Sequence, residues 1–232
     1  MGRLYLVSTP IGNRDDLTLR ALRLLFEVDA ILSEDTRKTG QLLKLCRPAS
    51  PAGGPDVAHP PLLSFFEGNE ESRLEEILVR LEAGQKIALV SSAGTPLVSD
   101  PGFKLVRVAI TAGHEVIPVP GASAALAALV GSGLPPDKFL FLGFLPKKQG
   151  KKEKLLKTVI EAKAKLPQTV IGYESPFRLV KTIELLARLA PDTDLVLAKE
   201  LTKKFEAWFR GKPNQVLAQL PNKIKGEWVV LF

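Results

Sequence analysis

The chain has 232 residues, 45% hydrophobic and 25% charged, which is enough for one large domain or two small ones with a full apolar core. Its lone cysteine, Cys46, excludes an intramolecular disulfide framework. With only His59 and His114 as further soft ligands, far apart in sequence, no zinc site is expected. No signal peptide and no apolar run of about 18 residues is read, so a cytoplasmic protein without membrane attachment is expected. The net charge of +7 is localised: between Gly143 and Lys165 stand eight lysines against two glutamates. Such a patch either keeps a helix face solvated or attracts a polyanion through counterion release.

In chain order, Leu4–Val7 is a short apolar strand that runs into Ser8-Thr9-Pro10-Ile11-Gly12-Asn13, a turn-rich loop. Thr18 is placed to cap a helix carrying Leu19, Leu22, Leu25 and Phe26. Residues 29–33 read as a buried strand, ending in the charged cluster Glu34-Asp35-Thr36-Arg37, and a helix follows over 37–45. Residues 47–61 hold too many prolines and glycines for a helix or a central strand. Residues 62–66 form a strand, and Asn69 is placed to cap a helix that Gly84 stops. Residues 87–90 lead into Ser91-Ser92-Ala93-Gly94-Thr95-Pro96-Leu97-Val98-Ser99-Asp100-Pro101-Gly102, with a helix over 103–112 beyond it. Residues 115–119 form a strand that meets Pro120-Gly121-Ala122-Ser123-Ala124-Ala125, where Ser123 would cap a small-residue helix to about residue 130. A second set follows: strands over 139–142, 169–173, 195–198 and 226–232, a Lys-rich helix with Leu155, Leu156, Val159 and Ile160 on one face, and a helix ending near 189. Alternation of strand and helix predicts two α/β domains, 1–118 and 119–232, with mostly parallel or mixed sheets.

Three loops, 8–13, 91–102 and 120–125, follow strands and are rich in small residues. In open α/β sheets ligands bind beyond the carboxyl ends of strands. Loops poor in charged side chains suit a neutral or cationic ligand held by backbone hydrogen bonds and adenine-like stacking. Read singly, each loop is only a tight turn. None matches a dinucleotide-binding or phosphate-binding glycine motif. A second group, Glu34-Asp35-Thr36-Arg37, Glu174-Ser175-Pro176-Phe177-Arg178 and Glu200-Leu201-Thr202-Lys203, mixes acids and bases after strands. There carboxylates could orient or deprotonate hydroxyls, and Arg37, Arg178 and Lys203 could hold phosphates.

The motifs Thr9-Pro10-Ile11-Gly12-Asn13, Glu34-Asp35-Thr36-Arg37, Ala93-Gly94-Thr95-Pro96 with Ser99-Asp100-Pro101-Gly102, Pro120-Gly121-Ala122-Ser123-Ala124, Tyr173-Glu174-Ser175-Pro176 and Glu200-Leu201-Thr202-Lys203 together resemble the ribosomal RNA small-subunit methyltransferase I family of the tetrapyrrole methylase superfamily. The resemblance covers nearly the whole chain in order. It implies a homodimer with S-adenosylmethionine held in a cleft between two α/β domains. It also implies 2′-O-methylation of a cytidine in the decoding region of 16S ribosomal RNA, free or within the small subunit. It assigns cofactor contacts to Pro10, Ile11, Gly12, Ala93, Gly94, Thr95, Val98, Ser123, Ala124, Tyr173 and Glu174. Departures from the family pattern fall on Ser92 for Asp, on Phe66 and Gly68 in a stretch that usually bears histidine, on Phe177 for His, and on Lys199 for Arg. Many members also carry a further C-terminal extension.

A sulfonium methyl is already activated, so the chemistry reduces to alignment and removal of a hydroxyl proton, with no metal. Asp35, Asp100, Glu174 and Glu200 are all candidates for the base. Arg37, Arg178 and Lys203, with Lys147, Lys148, Lys151 and Lys152, would hold RNA phosphates without reading sequence. Two other readings share these residues: a superfamily methyltransferase for a small molecule or tetrapyrrole, and a non-catalytic RNA-binding relative.

Overall fold

The computed structural model describes residues 1–46 and 58–232. Most of the irregular stretch expected at 47–61 lies outside the described residues, and 58–61 carry neither helix nor strand. The chain divides into two compact units, Met1–Ser123 and Ala124–Phe232.

The first unit holds strands β1 (Arg3–Val7), β2 (Ala30–Ser33), β3 (Leu62–Ser64), β4 (Lys86–Val90) and β5 (Glu115–Val119). They form one sheet in the order β3-β2-β4-β1-β5, and every pairing is parallel. Helices α1 (Leu19–Glu27), α2 (Thr36–Leu45), α3 (Glu70–Glu82) and α4 (Phe103–Thr111) make the crossovers. Successive strand side chains face opposite ways. Tyr5, Val7, Ile31, Ala88 and Val90 accordingly pack with Leu25 and Leu43 on one face. Leu4, Leu32, Ile87 and Leu89 pack with Ile77, Leu81 and Leu105 on the other. Both faces are covered, which is why these strands read as continuous apolar runs rather than alternating ones. Each fully buried Leu or Ile contributes about 1.5–3 kcal/mol.

Local chemistry sets the helix starts. The Thr18 side chain accepts a hydrogen bond from the Ala21 N–H at 3.1 Å, as a cap should. Asn69 stands at the N-cap position of α3 but makes no capping bond. Its Oδ1 instead accepts from the Phe66 N–H at 2.8 Å and its Nδ2 donates to the Ser64 carbonyl at 3.1 Å, so it pins the turn leaving β3. The next residue, buried Glu70, caps a different helix. Its Oε1 accepts from the Gly102 and Lys104 N–H groups, both at 3.2 Å, at the start of α4, where Gly102 has no side chain to do so.

The second unit holds α5 (Ala124–Ser132), β6 (Phe139–Phe144), α6 (Gln149–Lys165), β7 (Thr169–Glu174), α7 (Leu179–Leu189), β8 (Leu195–Lys199), β9 (Ala207–Gly211), α8 (Pro213–Gln219) and β10 (Trp228–Leu231). The sheet order is β6-β7-β10-β8-β9. Only β6 and β7 pair in parallel; β10 runs antiparallel to β7 and to β8, and β9 is antiparallel to β8. The edge strand β9 and the short helix α8 carry too few periodic positions to stand out in the sequence. In space they close the core through Phe209 and Val216 against Trp228 and Leu197.

Candidate active site

Parallel strands bring all their carboxyl ends to one edge of the first sheet, and β4 and β5 flank β1 there. The three small-residue loops therefore meet. Thr9 and Gly94 form an isolated antiparallel bridge, with Thr9 N–H to Gly94 O at 2.9 Å and Gly94 N–H to Thr9 O at 3.0 Å. The Thr95 hydroxyl donates to the Ala122 carbonyl at 3.0 Å and accepts from the Ser8 hydroxyl at 3.2 Å. Thr9 Oγ1 donates to the Ser91 carbonyl at 3.4 Å. A Cβ on Gly121 would lie 2.7 Å from that of Ser8, and one on Gly94, at φ +80°, would lie 3.3 Å from Ile11 Cγ2. Pro10, Ile11 and Gly12 thus stand beside Ala93, Gly94 and Thr95, and Ala122 and Ser123 close the third side. This is a cradle of backbone groups and small side chains. It fits an uncharged, flat group held by main-chain hydrogen bonds, and so fits the adenosine part of S-adenosylmethionine.

The central loop is also bent. Leu97 and Ser99 adopt φ of 69° and 72°, a region that costs a non-glycine residue about 1–2 kcal/mol. The bend leaves Val98 and Ser99 exposed and Asp100 half-buried. Burial, and then the neighbouring Glu34 carboxylate, push Asp100 up to about 6, against an opposing bond from the Ser91 hydroxyl. Glu34, just past β2, is tied to the loop: Ser92 Oγ donates to its Oε2 at 2.5 Å, and the Ser92 N–H does so at 3.3 Å. Asp100, Glu34 and Ser92 therefore form one polar group beside the cradle.

The other acids proposed as bases are engaged elsewhere. Asp35 is the N-cap of α2, accepting from the Arg37 and Lys38 N–H groups at 3.0 and 3.2 Å. The Lys38 bond, helped by those of Arg37, holds its carboxyl below the usual range, the reverse of what a proton acceptor needs. Glu200 is pushed up by burial, but the Glu227 backbone N–H and Lys203 outweigh this and leave it lowered. Glu174 is 2% exposed, and both its oxygens are taken. Oε1 accepts from the Ser175 N–H at 2.7 Å and Arg178 Nε at 2.9 Å, and Oε2 accepts from the Lys152 ammonium and the Thr182 hydroxyl. With both oxygens held by Ser175, Arg178, Lys152 and Thr182, the Glu174 carboxylate serves the structure of the second unit rather than standing open to a ligand.

Lys152 is likewise enclosed. It is 4% exposed, with Nζ held by Glu174 and, at 2.6 Å, by Thr182, and cannot reach a phosphate. Lys152, Leu156 and Val159 are the buried residues of α6; the spacing i, i+4, i+7 puts this lysine on the apolar face. Lys147, Lys148 and Lys151 are exposed, and Arg37 is exposed beside Asp35. Arg178 spends its guanidinium on Glu174, at 2.8 and 2.9 Å. Lys203 pairs with Glu227 at 2.8 Å and Glu200 at 3.3 Å. Tyr173 packs edge-on against Phe141 and Phe144, with centroids 5.0 and 5.4 Å away. Among the described residues no group of three or more His, Cys, Asp or Glu could hold a metal ion, and no helix is long and apolar enough to cross a membrane.

Similarity to known proteins at three levels bears on this arrangement. Residues 3–216 match the family model of the tetrapyrrole (corrin/porphyrin) methylases. Solved structures agree in fold: the methyltransferase CobJ at a TM-score of 0.68 and 19% identity, covering 100% of this chain and 94% of that one. The uroporphyrin-III C-methyltransferase of Thermus thermophilus, complexed with S-adenosyl homocysteine, gives 0.64 and 22%, covering 99% and 97%. Curated relatives are nearer in sequence. Proteins named ribosomal RNA small subunit methyltransferase I are 43% identical in Bacillus subtilis, over 100% of this chain and 75% of that protein. In Thermotoga maritima the figure is 42%, over 96% and 94%. The chain belongs to the ribosomal RNA small subunit methyltransferase I family within the tetrapyrrole methylases.

Proposed function

We propose that this protein is an S-adenosylmethionine-dependent methyltransferase that modifies the ribose 2′-hydroxyl of a cytidine in the decoding region of 16S ribosomal RNA, acting as a cytoplasmic homodimer. The observation that carries the reading is the juxtaposition of a backbone-lined cradle with one half-buried carboxylate, Asp100, raised toward neutral pH. The names of relatives at 42–43% identity support an RNA substrate over a tetrapyrrole. S-adenosylmethionine would supply an activated methyl group, so the protein's work is alignment and proton removal.

Pro10, Ile11, Gly12, Ala93, Gly94, Thr95 and Ser123 would hold the nucleoside part, with Val98 from the bent part of the central loop and Ala124 from the start of α5. Asp100 would take the hydroxyl proton as the new carbon–oxygen bond forms. Glu34 keeps Asp100 basic through its charge, and the Ser92 hydroxyl holds Glu34 in place. Arg37, Lys147, Lys148 and Lys151 would contact phosphates. The test is incubation with methyl-labelled cofactor and small subunits lacking the modification. Label in a cytidine ribose of the 16S RNA is expected, and its absence there would overturn the reading.

A further inference from the structure

We propose that the end of the second sheet where β6, β7 and β8 terminate is a stacking platform for unpaired bases of single-stranded RNA, with Phe177 and Phe205 as its principal faces. The proposal rests on the reading of an RNA substrate and specifies which part of the RNA this unit grips. Trp228 of β10 stands in register with Glu174, the last residue of β7, and with Lys199, the last of β8. The two strands therefore end level, about 10 Å apart across β10. Phe177 follows the first end by three residues and Phe205 follows the second by six. Phe144, the last residue of β6, pairs beside Tyr173 at the same end.

These three rings are 92%, 67% and 63% exposed. Phe144 rests edge-on against Tyr173 at 5.4 Å with its other face open, whereas Phe209 lies 5.6 Å from Trp228 and Phe232 is buried. Both bearing loops are braced. The Arg178 N–H donates to the Ser175 carbonyl at 3.0 Å, and each of these residues also bonds Glu174, so Phe177 projects from a tight turn tied at both ends. On the other loop, Lys203 N–H to Glu200 O and Glu206 N–H to Lys203 O are both 3.0 Å, and the Thr202 N–H donates to Glu206 Oε2 at 2.6 Å. Glu200 and Thr202 are held at φ of 50° and 64°. Rings displayed on braced turns lose little freedom when a ligand covers them.

The surroundings select the ligand. Lys204 Nζ sits 5.6 Å over the Phe205 ring, and exposed Lys147, Lys148 and Lys151 open the helix that follows β6. The acids at this end are engaged: Glu200 and Glu227 by Lys203, and Glu206 by the Thr202 N–H and the Trp208 indole at 2.9 Å. An occupant must therefore offer flat apolar faces on an anionic backbone. Unpaired bases on a phosphodiester chain do so, whereas a duplex hides its base faces.

The test measures binding of a short labelled single-stranded RNA, and of the same backbone with abasic positions, to the wild type, Phe177→Ala, Phe205→Ala and Phe177→Trp. Each alanine variant is expected to weaken binding of the intact RNA about 5- to 150-fold, with melting temperature unchanged and tryptophan restoring affinity. Abasic RNA should bind wild type and alanine variants alike. Equal binding of intact RNA by wild type and alanine variants would overturn the proposal. So would a change in oligomeric state with RNA affinity intact, which would make the rings an interface between copies. Methyl transfer to 16S RNA by the wild type, run alongside, separates the two readings. Transfer with ring-independent binding removes the platform alone, and ring-dependent binding without transfer removes the methylation reading alone.

Discussion

In the first unit the candidate site is made of backbone; in the second, the same end of the sheet is made of charged and aromatic side chains. The cradle at Thr9, Gly94 and Ala122 is joined by main-chain and hydroxyl bonds, and two neighbouring carboxylates, Asp100 and Glu34, stand beside it. At the ends of β7 and β8 an ion-pair network is drawn inward around Glu174 and phenyl rings are left outside. A backbone site tolerates few substitutions because every atom of it is also structure. A side-chain site divides its residues between those that hold the fold and those that meet a partner. Charge alone does not reveal the division: Lys151 and Lys152 are neighbours, one exposed and one enclosed.

The largest effect should come where the cradle meets the proposed base. Asp100→Asn is expected to lower the methyl-transfer rate by about 10²–10⁴-fold, the usual worth of a positioned base, with cofactor affinity unchanged. It should also act on stability. Asp100 is raised in the fold from 3.8 to about 6, so the folded state binds the extra proton. Wild-type stability from this group should fall as pH rises between those values and stay level above, and Asp100→Asn should abolish that fall in a urea titration series. An Asp100→Asn variant that transfers methyl at the wild-type rate would instead mean that this acid is not the base.

In the second unit, Lys152→Ala should cost about 3–5 kcal/mol, because it leaves Glu174 charged and partly unpaired in the interior. Lys152→Met should lose less if Glu174→Gln accompanies it. Equilibrium unfolding of the single and double variants measures the coupling. Were Lys152 an RNA contact instead, the single variant would unfold normally and bind RNA poorly. Smaller still, Gly94→Ala should cost about 1–2 kcal/mol from its left-handed backbone and press on Ile11. Calorimetry should then show weaker cofactor binding with RNA binding unaltered.

Much of the first unit was legible because its signals are local. Apolar runs give the parallel strands, Thr18 caps where expected, and the glycine-bearing loops fall at strand ends. What escaped was the choice among side chains. Asp35 looked reactive as part of Glu34-Asp35-Thr36-Arg37, yet an Asp directly before a helix is a preferred cap. Applying that rule would have passed the catalytic interest to Glu34. Asn69 shows the converse, since a residue with good capping chemistry turned back to bond the strand it had just left. For Lys152 the helical spacing with Leu156 and Val159 held the answer. Phe205 and Phe144 gave no signal, because only the sheet's register brings them to the end where Phe177 lies.

The pH dependence of methyl transfer tests the central claim that Asp100, kept basic by burial and Glu34, accepts the hydroxyl proton. Initial rates into small-subunit RNA should be low in acid, rise tenfold per pH unit and level off above about 6. Glu34→Gln should move that bend to lower pH by removing the neighbouring charge, and Asp100→Asn should leave a profile without it. A wild-type bend that survives unchanged in Asp100→Asn would contradict the account.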